Sequence, residues 1–228
     1  LFNDGTVSLT SCTFSGNASM YGAAIDNQGT LSLIACTLSG NMANYPGGGY
    51  GGGIANASGT LTIIASTLSG NSATDGGGGL DNVGTADISC STVSGNYAAR
   101  YGGGILNLGS AMFTNSTISG NSSGTGGGVQ NELTVRLLNV TVSNSSSDLG
   151  GALYMKSGAT TILTNTILAY SLSGGNCSGA LTTSKFTFSS DNSCALPSAN
   201  TIKGQNPNGL DPLLTGLGNY GGLTLVHI

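Results

Sequence analysis

The chain writes nearly the same line again and again. "GGGLDNVGTADISCSTVSGN" (Gly77–Asn96) returns at once as "GGGILNLGSAMFTNSTISGN" (Gly102–Asn121). The closing asparagines are Asn17, Asn41, Asn71, Asn96, Asn121 and, in a worn "TVSN", Asn144, at intervals of 24, 30, 25, 25 and 23 residues. A second series, Asn27, Asn56, Asn82, Asn107 and Asn131, keeps nearly the same period. A fixed period of this size is the signature of a stacked repeat architecture, in which each unit buries its apolar face only against its neighbours. The interval of 30 contains an extra "YPGGGYG" around Pro46, read as a loop inserted in one turn.

Each unit holds three short strand-like pieces: "GGGI-x-N", then "TLSL" (Thr30–Leu33) and its copies "TLTI" and "TADI", then "CTLSGN" and its copies. Apolar and polar residues alternate within each, the mark of a half-buried strand. Glycine and asparagine, which take positive φ cheaply, stand between the pieces, where corners belong. The pattern predicts an all-β parallel β-solenoid of about seven coils of about 25 residues, with an irregular C-terminal cap. The coils occupy residues 1–170, with a seventh, worn copy at "TTILTNTIL" (160–168); the cap occupies 171–228.

Three aliphatic ladders form the expected core. One is Phe14, Leu38, Leu68, Val93, Ile118, Val142 and Ile167. The second is Ile25, Ile54, Leu80, Ile105, Val129 and Leu153. The third is Leu33, Ile63, Ile88, Phe113, Leu137 and Ile162. Composition agrees: glycine supplies 40 of 228 residues and only 6% are charged, unusual for a helical domain but suited to a solenoid of small residues. A net charge of −4 leaves no basic footprint for nucleic acid. No run of 18 apolar residues provides a membrane span. "LFNDGTVSL" aligns with "IDNQGTLSL" (Ile25–Leu33), so the sequence opens in mid-coil, as a processed or partial product would.

"FSGN" (Phe14–Asn17) and "GAAI" (Gly22–Ile25) resemble the FxxN and GGAI repeats of polymorphic outer-membrane proteins. The tail resembles the end of bacterial surface β-helix proteins of the choice-of-anchor Q type. It shares the Cys177 and Cys194 pair, "DPLL" (Asp211–Leu214) and "NYGGLTLVH" (Asn219–His227). The resemblances cover almost the whole chain, and the tail is their more specific part. They imply a secreted, right-handed, single-stranded parallel β-helix of the pectin-lyase-like kind at the cell surface, without settling an activity. Relatives run on beyond the point where this chain stops, so an anchor is not within it.

Two pairs of cysteines are disulfide candidates. Cys12 and Cys36 hold the same place in consecutive coils, about one rung apart. They read either as two small buried hydrophobes or as a rung-to-rung bridge. Cys177 and Cys194 lie outside the repeats. In the extracellular setting that the resemblance implies, a disulfide there staples a segment with little ladder support. Cys90 sits one place off the Cys12 register, and no Cys/His spacing suggests zinc.

No catalytic set stands out, and no cofactor or metal site is expected. Glycoside hydrolysis needs two carboxylates several ångströms apart. Asp26 and Asp81, both the outward "x" of "GGGI-x-N", sit two coils apart, roughly 9.6 Å by rung spacing. No third acid, arginine or histidine supports them in the sequence, and they read as solvated acids beside a corner. The basic residues Arg100, Arg136, Lys156, Lys185 and Lys203 are scattered, and the single histidine, His227, belongs to the tail motif. The glycine runs lack the lysine and serine or threonine of a phosphate loop.

One outward feature is regular. Thr13, Thr37, Thr67, Thr92, Thr117, Thr141 and Thr166 flank the core residue on one side, and Ser15, Ser39, Ser69, Ser94, Ser119 and Ser143 on the other. This predicts a flat, exposed T-x-S face, suited to lateral packing or glycan attachment, or merely a solvated strand face. Ice-binding solenoids use similar arrays, usually with threonine in both columns; serine lacks the methyl group.

The expected function is therefore a non-catalytic, secreted or cell-surface structural or adhesive element, with glycans or cell-surface components as partners. Leu223–Ile228 reads as an alternating strand that pairs with the first rung of another copy, giving an end-to-end filament. Alternatives left open are a carbohydrate-active, pectin-lyase-like β-helix enzyme, a carbohydrate-binding module and an ice-binding solenoid.

Overall fold

The computed structural model describes residues 1–196, 201–203 and 211–218. "NYGGLTLVH", His227 and the expected pairing strand Leu223–Ile228 lie outside them. Short strands repeat coil after coil and stack into four parallel sheets. Sheet A runs from Phe2–Asn3 through Ile25–Asn27 to Cys177–Ser178. Sheet B runs from Thr6–Thr10 through Thr30–Ile34 to Thr183–Lys185. Sheet C starts at Thr13–Ser15, passes Thr187–Ser189 and ends at Thr201–Lys203. Every pairing is in register with the equivalent residue of the next coil: Leu33 faces Ile63, Ile63 faces Ile88, and Ile88 faces Phe113. The chain is thus a parallel β-solenoid.

The regular part is longer than the sequence pattern indicates. Sheets A and B each contain eight strands, so the described residues form about eight coils rather than seven. Cys177–Ser178, Thr183–Lys185 and Thr187–Ser189 carry the ladders past position 170, into what reads as cap in the sequence. Sheet D is also new. Ala18–Ser19, Met42–Ala43, Ser72–Ala73 and Tyr97–Ala98 pair directly after the closing asparagines. Two-residue strands are too short to show alternation. Sheet D has its own small core of Ala23, Ala43, Ala73 and Ala98.

The main core contains the three expected ladders with two corrections in the worn seventh coil. Leu163, not Ile162, faces Leu137, and Leu168, not Ile167, faces Val142. Adjacent apolar residues make the alternation of "TTILTNTIL" ambiguous. The corner fixes the register: Asn165 takes φ 49°, matching Asn139 (55°) and Asn115 (50°). The same shift removes Thr166 from the outward threonine column. It is buried, and its hydroxyl donates to Thr164 O at 3.1 Å. A fourth ladder, Leu31, Leu61, Ala86, Ala111 and Val135, lines the same interior. Each fully buried leucine or isoleucine contributes about 1.5–3 kcal/mol.

Two asparagine ladders close the corners. Along sheet A the Asn27 amide donates to Asn56 Oδ1 at 2.7 Å, Asn56 to Asn82 at 2.7 Å, and Asn82 to Asn107 at 2.8 Å. The other ladder joins Asn17, Asn41, Asn71, Asn96 and Asn121. Asn144 does not continue it. Its φ of 53° puts it in the left-handed corner held by Gly16, Gly40, Gly70, Gly95 and Gly120. Ser145 takes the ladder position and accepts from Asn121 N at 3.4 Å. Apart from the exposed Asn17, these amides are buried, so each pairing satisfies groups that would otherwise be costly.

Candidate functional site

The inserted loop borders a groove that joins aromatic rings to acids. Tyr21, Tyr50, Gly76 and Tyr101 occupy one column, each bridged to the next coil. They stand at the head of "YGAAI", "YGGGI", "GGGGL" and "YGGGI". Tyr21 and Tyr50 stack, with ring centroids 6.2 Å apart and planes 13° from parallel. At Gly76 the ring is missing, and Leu106 leans into the gap: a Cβ there would lie 2.5 Å from Leu106 Cδ2. Beyond it, Arg100 lies over the Tyr101 ring at 5.8 Å.

Beside this column lies a groove of about 430 Å³, lined by Tyr21, Asp26, Tyr50, Asp81, Val83 and Leu108 among others. Asp26 and Asp81 arrive through register: Asp26 pairs with Ala55 and Ala55 with Asp81, so the two acids are two rungs apart on one face. They are not both solvated. Asp26 is half-buried, whereas Asp81 is only 7% exposed. Nor does Asp81 stand unsupported, because Asp75 interacts with it electrostatically.

Asp75 owes its burial to the insertion. The loop at Gly48 passes so close that a Cβ there would meet Asp75 Oδ2 at 2.8 Å, and Gly49 O accepts from Asp75 N at 3.0 Å. Tyr50 Oη donates to Asp75 Oδ2 at 2.8 Å, and Arg100 approaches the same oxygen at 3.7 Å. Asp75 Oδ1 and Asp81 Oδ1 are both buried and accept no hydrogen bond.

Charge is unfavourable in this setting. Burial, reinforced by Asp75, pushes the Asp81 carboxyl from 3.8 up to about 7. Burial also raises Asp26, with the Leu1 amino group pulling the other way. Burial and the bond to Asp75 push the Tyr50 hydroxyl up to about 12. Asp81 therefore exchanges a proton near neutrality, while the groove presents stacked rings beside it. Among the described residues no three His, Cys, Asp or Glu side chains converge as metal ligands.

Cys177 and Cys194 are joined in a disulfide, with Cα atoms 4.8 Å apart. Cys12 and Cys36 are not joined. Their column continues as Ser66, Ser91 and Ser116, whose hydroxyls donate to the carbonyl two residues back and accept from the preceding coil. The thiols copy that role. Cys36 Sγ donates to Ile34 O at 3.3 Å and accepts from Cys12 N at 3.4 Å, while Cys12 Sγ donates to Thr10 O at 3.4 Å. Cys36 Sγ also reaches Leu9 O of the preceding coil at 3.5 Å, so the sulfurs bond to backbone and not to each other. Cys90 is exposed at a left-handed corner, φ 49°.

The T-x-S face is not one open plane. Thr13 and Ser15 are exposed, and Thr37, Ser39, Thr67, Ser69 and Thr141 are half-buried. Thr92, Ser94, Thr117, Ser119 and Ser143 are buried. The repeat pattern carries no signal for this burial. The Thr/Ser array therefore offers a broad open surface in its first coils alone.

The tyrosine column was legible in the sequence: three of the first four glycine runs open with tyrosine. Asp75, just ahead of Gly76, had no such signal, because its burial depends on a loop from the preceding coil. Among the described residues no helix is long and apolar enough to cross a membrane. No family model, curated protein or solved structure matches the chain. The fold and groove define its class: a parallel β-solenoid with an aromatic, acidic groove on one flank.

Proposed function

We propose that the protein is an extracellular structural or adhesive β-solenoid that binds saccharide through the groove beside Tyr21 and Tyr50. The observation that carries this reading is the stacked tyrosine pair alongside Asp26 and Asp81. Tyrosine offers an apolar face with a polar edge, and carboxylates accept from sugar hydroxyls. The disulfide supports an oxidising compartment. The resemblance to surface β-helix proteins points the same way, as does the scarcity of charge. A glycan array tests it. Wild type binds a defined set of oligosaccharides, Tyr50→Ala loses them and Thr13→Ala keeps them. Retention by Tyr50→Ala of all wild-type binding would contradict the reading.

Hydrolysis of the bound saccharide is a second reading, favoured by one observation: Asp26 and Asp81 line the same groove two rungs apart. The non-catalytic reading expects no release of reducing ends from pectin, polygalacturonate or related glycans. Turnover abolished by Asp81→Asn would establish the enzyme instead. End-to-end association remains a separate proposal, checked by electron microscopy: filaments support it and dispersed particles at high concentration exclude it.

A further inference from the structure

We propose that the groove selects a saccharide carrying a free primary amine, with Asp75 and Asp81 supplying the counter-charge for its ammonium. This rests on the saccharide reading above and narrows it.

Two oxygens set the preference. Asp75 Oδ1 and Asp81 Oδ1 are buried and lack any hydrogen-bond partner. Both residues are more than nine-tenths buried, at 6% and 7% exposed. A buried acceptor left unsatisfied costs stability, and more so when it is charged. Asp81 lines the groove, and Asp75 lies behind Tyr50, which also lines it. A ligand entering here meets the Asp81 acceptor, with the Tyr21 hydroxyl and the Gln28 amide further along the lining. An ammonium group brings three donors and a positive charge, and nothing else on a sugar brings both.

The other groups facing this point agree. Asp26 lines the same groove. Tyr21 and Tyr50 offer ring faces, which attract cations. Tyr50 spends its hydroxyl hydrogen on Asp75. Two cations act on the cluster: Arg100 approaches Asp75 with its side chain 65% exposed, and the Leu1 amino group acts on Asp26. Neither is bonded to Asp81 Oδ1, which has no hydrogen-bond partner. A uronate entering the groove would add a fourth carboxylate to this set, so the anionic glycans that pectin-lyase-like folds bring to mind are disfavoured. A metal ion fits less well, since the described residues offer no third ligand of the usual kind.

Proton linkage gives the inference its own signature. The Asp81 carboxyl, held at about 7 by burial and by Asp75, carries a proton at pH 6 in the empty groove. An ammonium beside it favours the carboxylate, so binding expels that proton into solution.

The test is isothermal titration calorimetry of the full chain at pH 6 with tetramers of glucosamine, N-acetylglucosamine and galacturonate, in two buffers of different ionisation enthalpy. The expected result is at least tenfold tighter binding of the glucosamine tetramer, with close to one proton released. Asp81→Asn removes the preference for the glucosamine tetramer and the proton release. Equal or tighter binding of the acetylated or galacturonate tetramer by wild type overturns the amine selectivity and leaves saccharide binding standing. Absence of binding by all three overturns both. The wild-type comparison decides the matter even if the variant does not fold.

Discussion

The Tyr50 hydroxyl donates to Asp75 Oδ2 at 2.8 Å, and the bond ties an inserted loop to the acidic floor of the groove. Tyr50 stacks on Tyr21 one coil earlier, and Asp75 sits beside Asp81 one coil later. The single long interval in the repeat thus creates a place where the rod departs from periodicity in both shape and charge. Elsewhere the coils repeat asparagine corners and aliphatic rungs whose task is to hold the stack together.

Asp81 makes stability depend on pH in a defined direction. Its pKa is 3.8 in the unfolded chain and about 7 in the folded one. Between those values the unfolded state holds fewer protons, so stability falls as pH rises through the window and levels off above it. Asp81→Asn removes the buried charge. The variant should melt higher than wild type at pH 8, and the difference should close near pH 4. Thermal melts at pH 4, 6 and 8 check this; a difference independent of pH would contradict it.

The buried amide ladder should be far more sensitive than the exposed one. Asn82 donates to Asn107 at 2.8 Å and accepts from Asn56 at 2.7 Å, with no exposure to solvent. Asn82→Ala leaves buried partners unsatisfied on both sides, at about 1–3 kcal/mol each. Asn139 makes similar bonds to Asn115 and Asn165, but at an exposed corner. There the expected cost of Asn139→Gly is below about 1 kcal/mol. Urea unfolding compares the two, and equal losses would count against the account.

Glycines divide into two kinds. A Cβ at Gly78 would lie 2.3 Å from Gly103 O and 2.4 Å from Tyr97 O, both backbone atoms of the next coil. Gly78→Ala should cost about 3 kcal/mol or prevent folding. Gly120 needs only its φ of 66°, and the nearest atom to an added Cβ is 3.9 Å away. Asn144 already fills the equivalent corner one coil later. Gly120→Asn should therefore fold with a loss of about 1 kcal/mol or less, read from thermal melts.

The Cys177–Cys194 bridge closes a sequence separation of 17 residues. A loop of that size is stabilised by about 3 kcal/mol when linked. Reduction should therefore raise amide exchange across residues 177–196 and leave Asn82 to Asn121 protected. Hydrogen exchange with and without reductant measures this. Uniform loosening of all coils would show that the bridge supports the whole rod.

The rungs were readable because their cause is local: a period near 25, alternation within each strand, and glycine or asparagine at the corners. Leu33, Ile63, Ile88 and Phe113 follow directly. Ile162 and Ile167 misled because two apolar residues stand together, and only the left-handed corner at Asn165 sets the register. Cys12 and Cys36 were correctly neighbours, yet their chemistry follows from Ser66 and Ser91 further along the column. Asp26 and Asp81 could be placed on one face from sequence. The burial of Asp81 and the approach of Asp75 could not, because both depend on how the Pro46 loop folds back over the next coil.

The central claim is that saccharide docks against Tyr21 and Tyr50 in the groove over Asp81. Crystals grown with the glucosamine tetramer test it most directly. The account predicts a sugar ring against the Tyr50 face with its amine toward Asp75 and Asp81. A tetramer bound only along the Thr13–Ser15 face, or at either end of the rod, would contradict it.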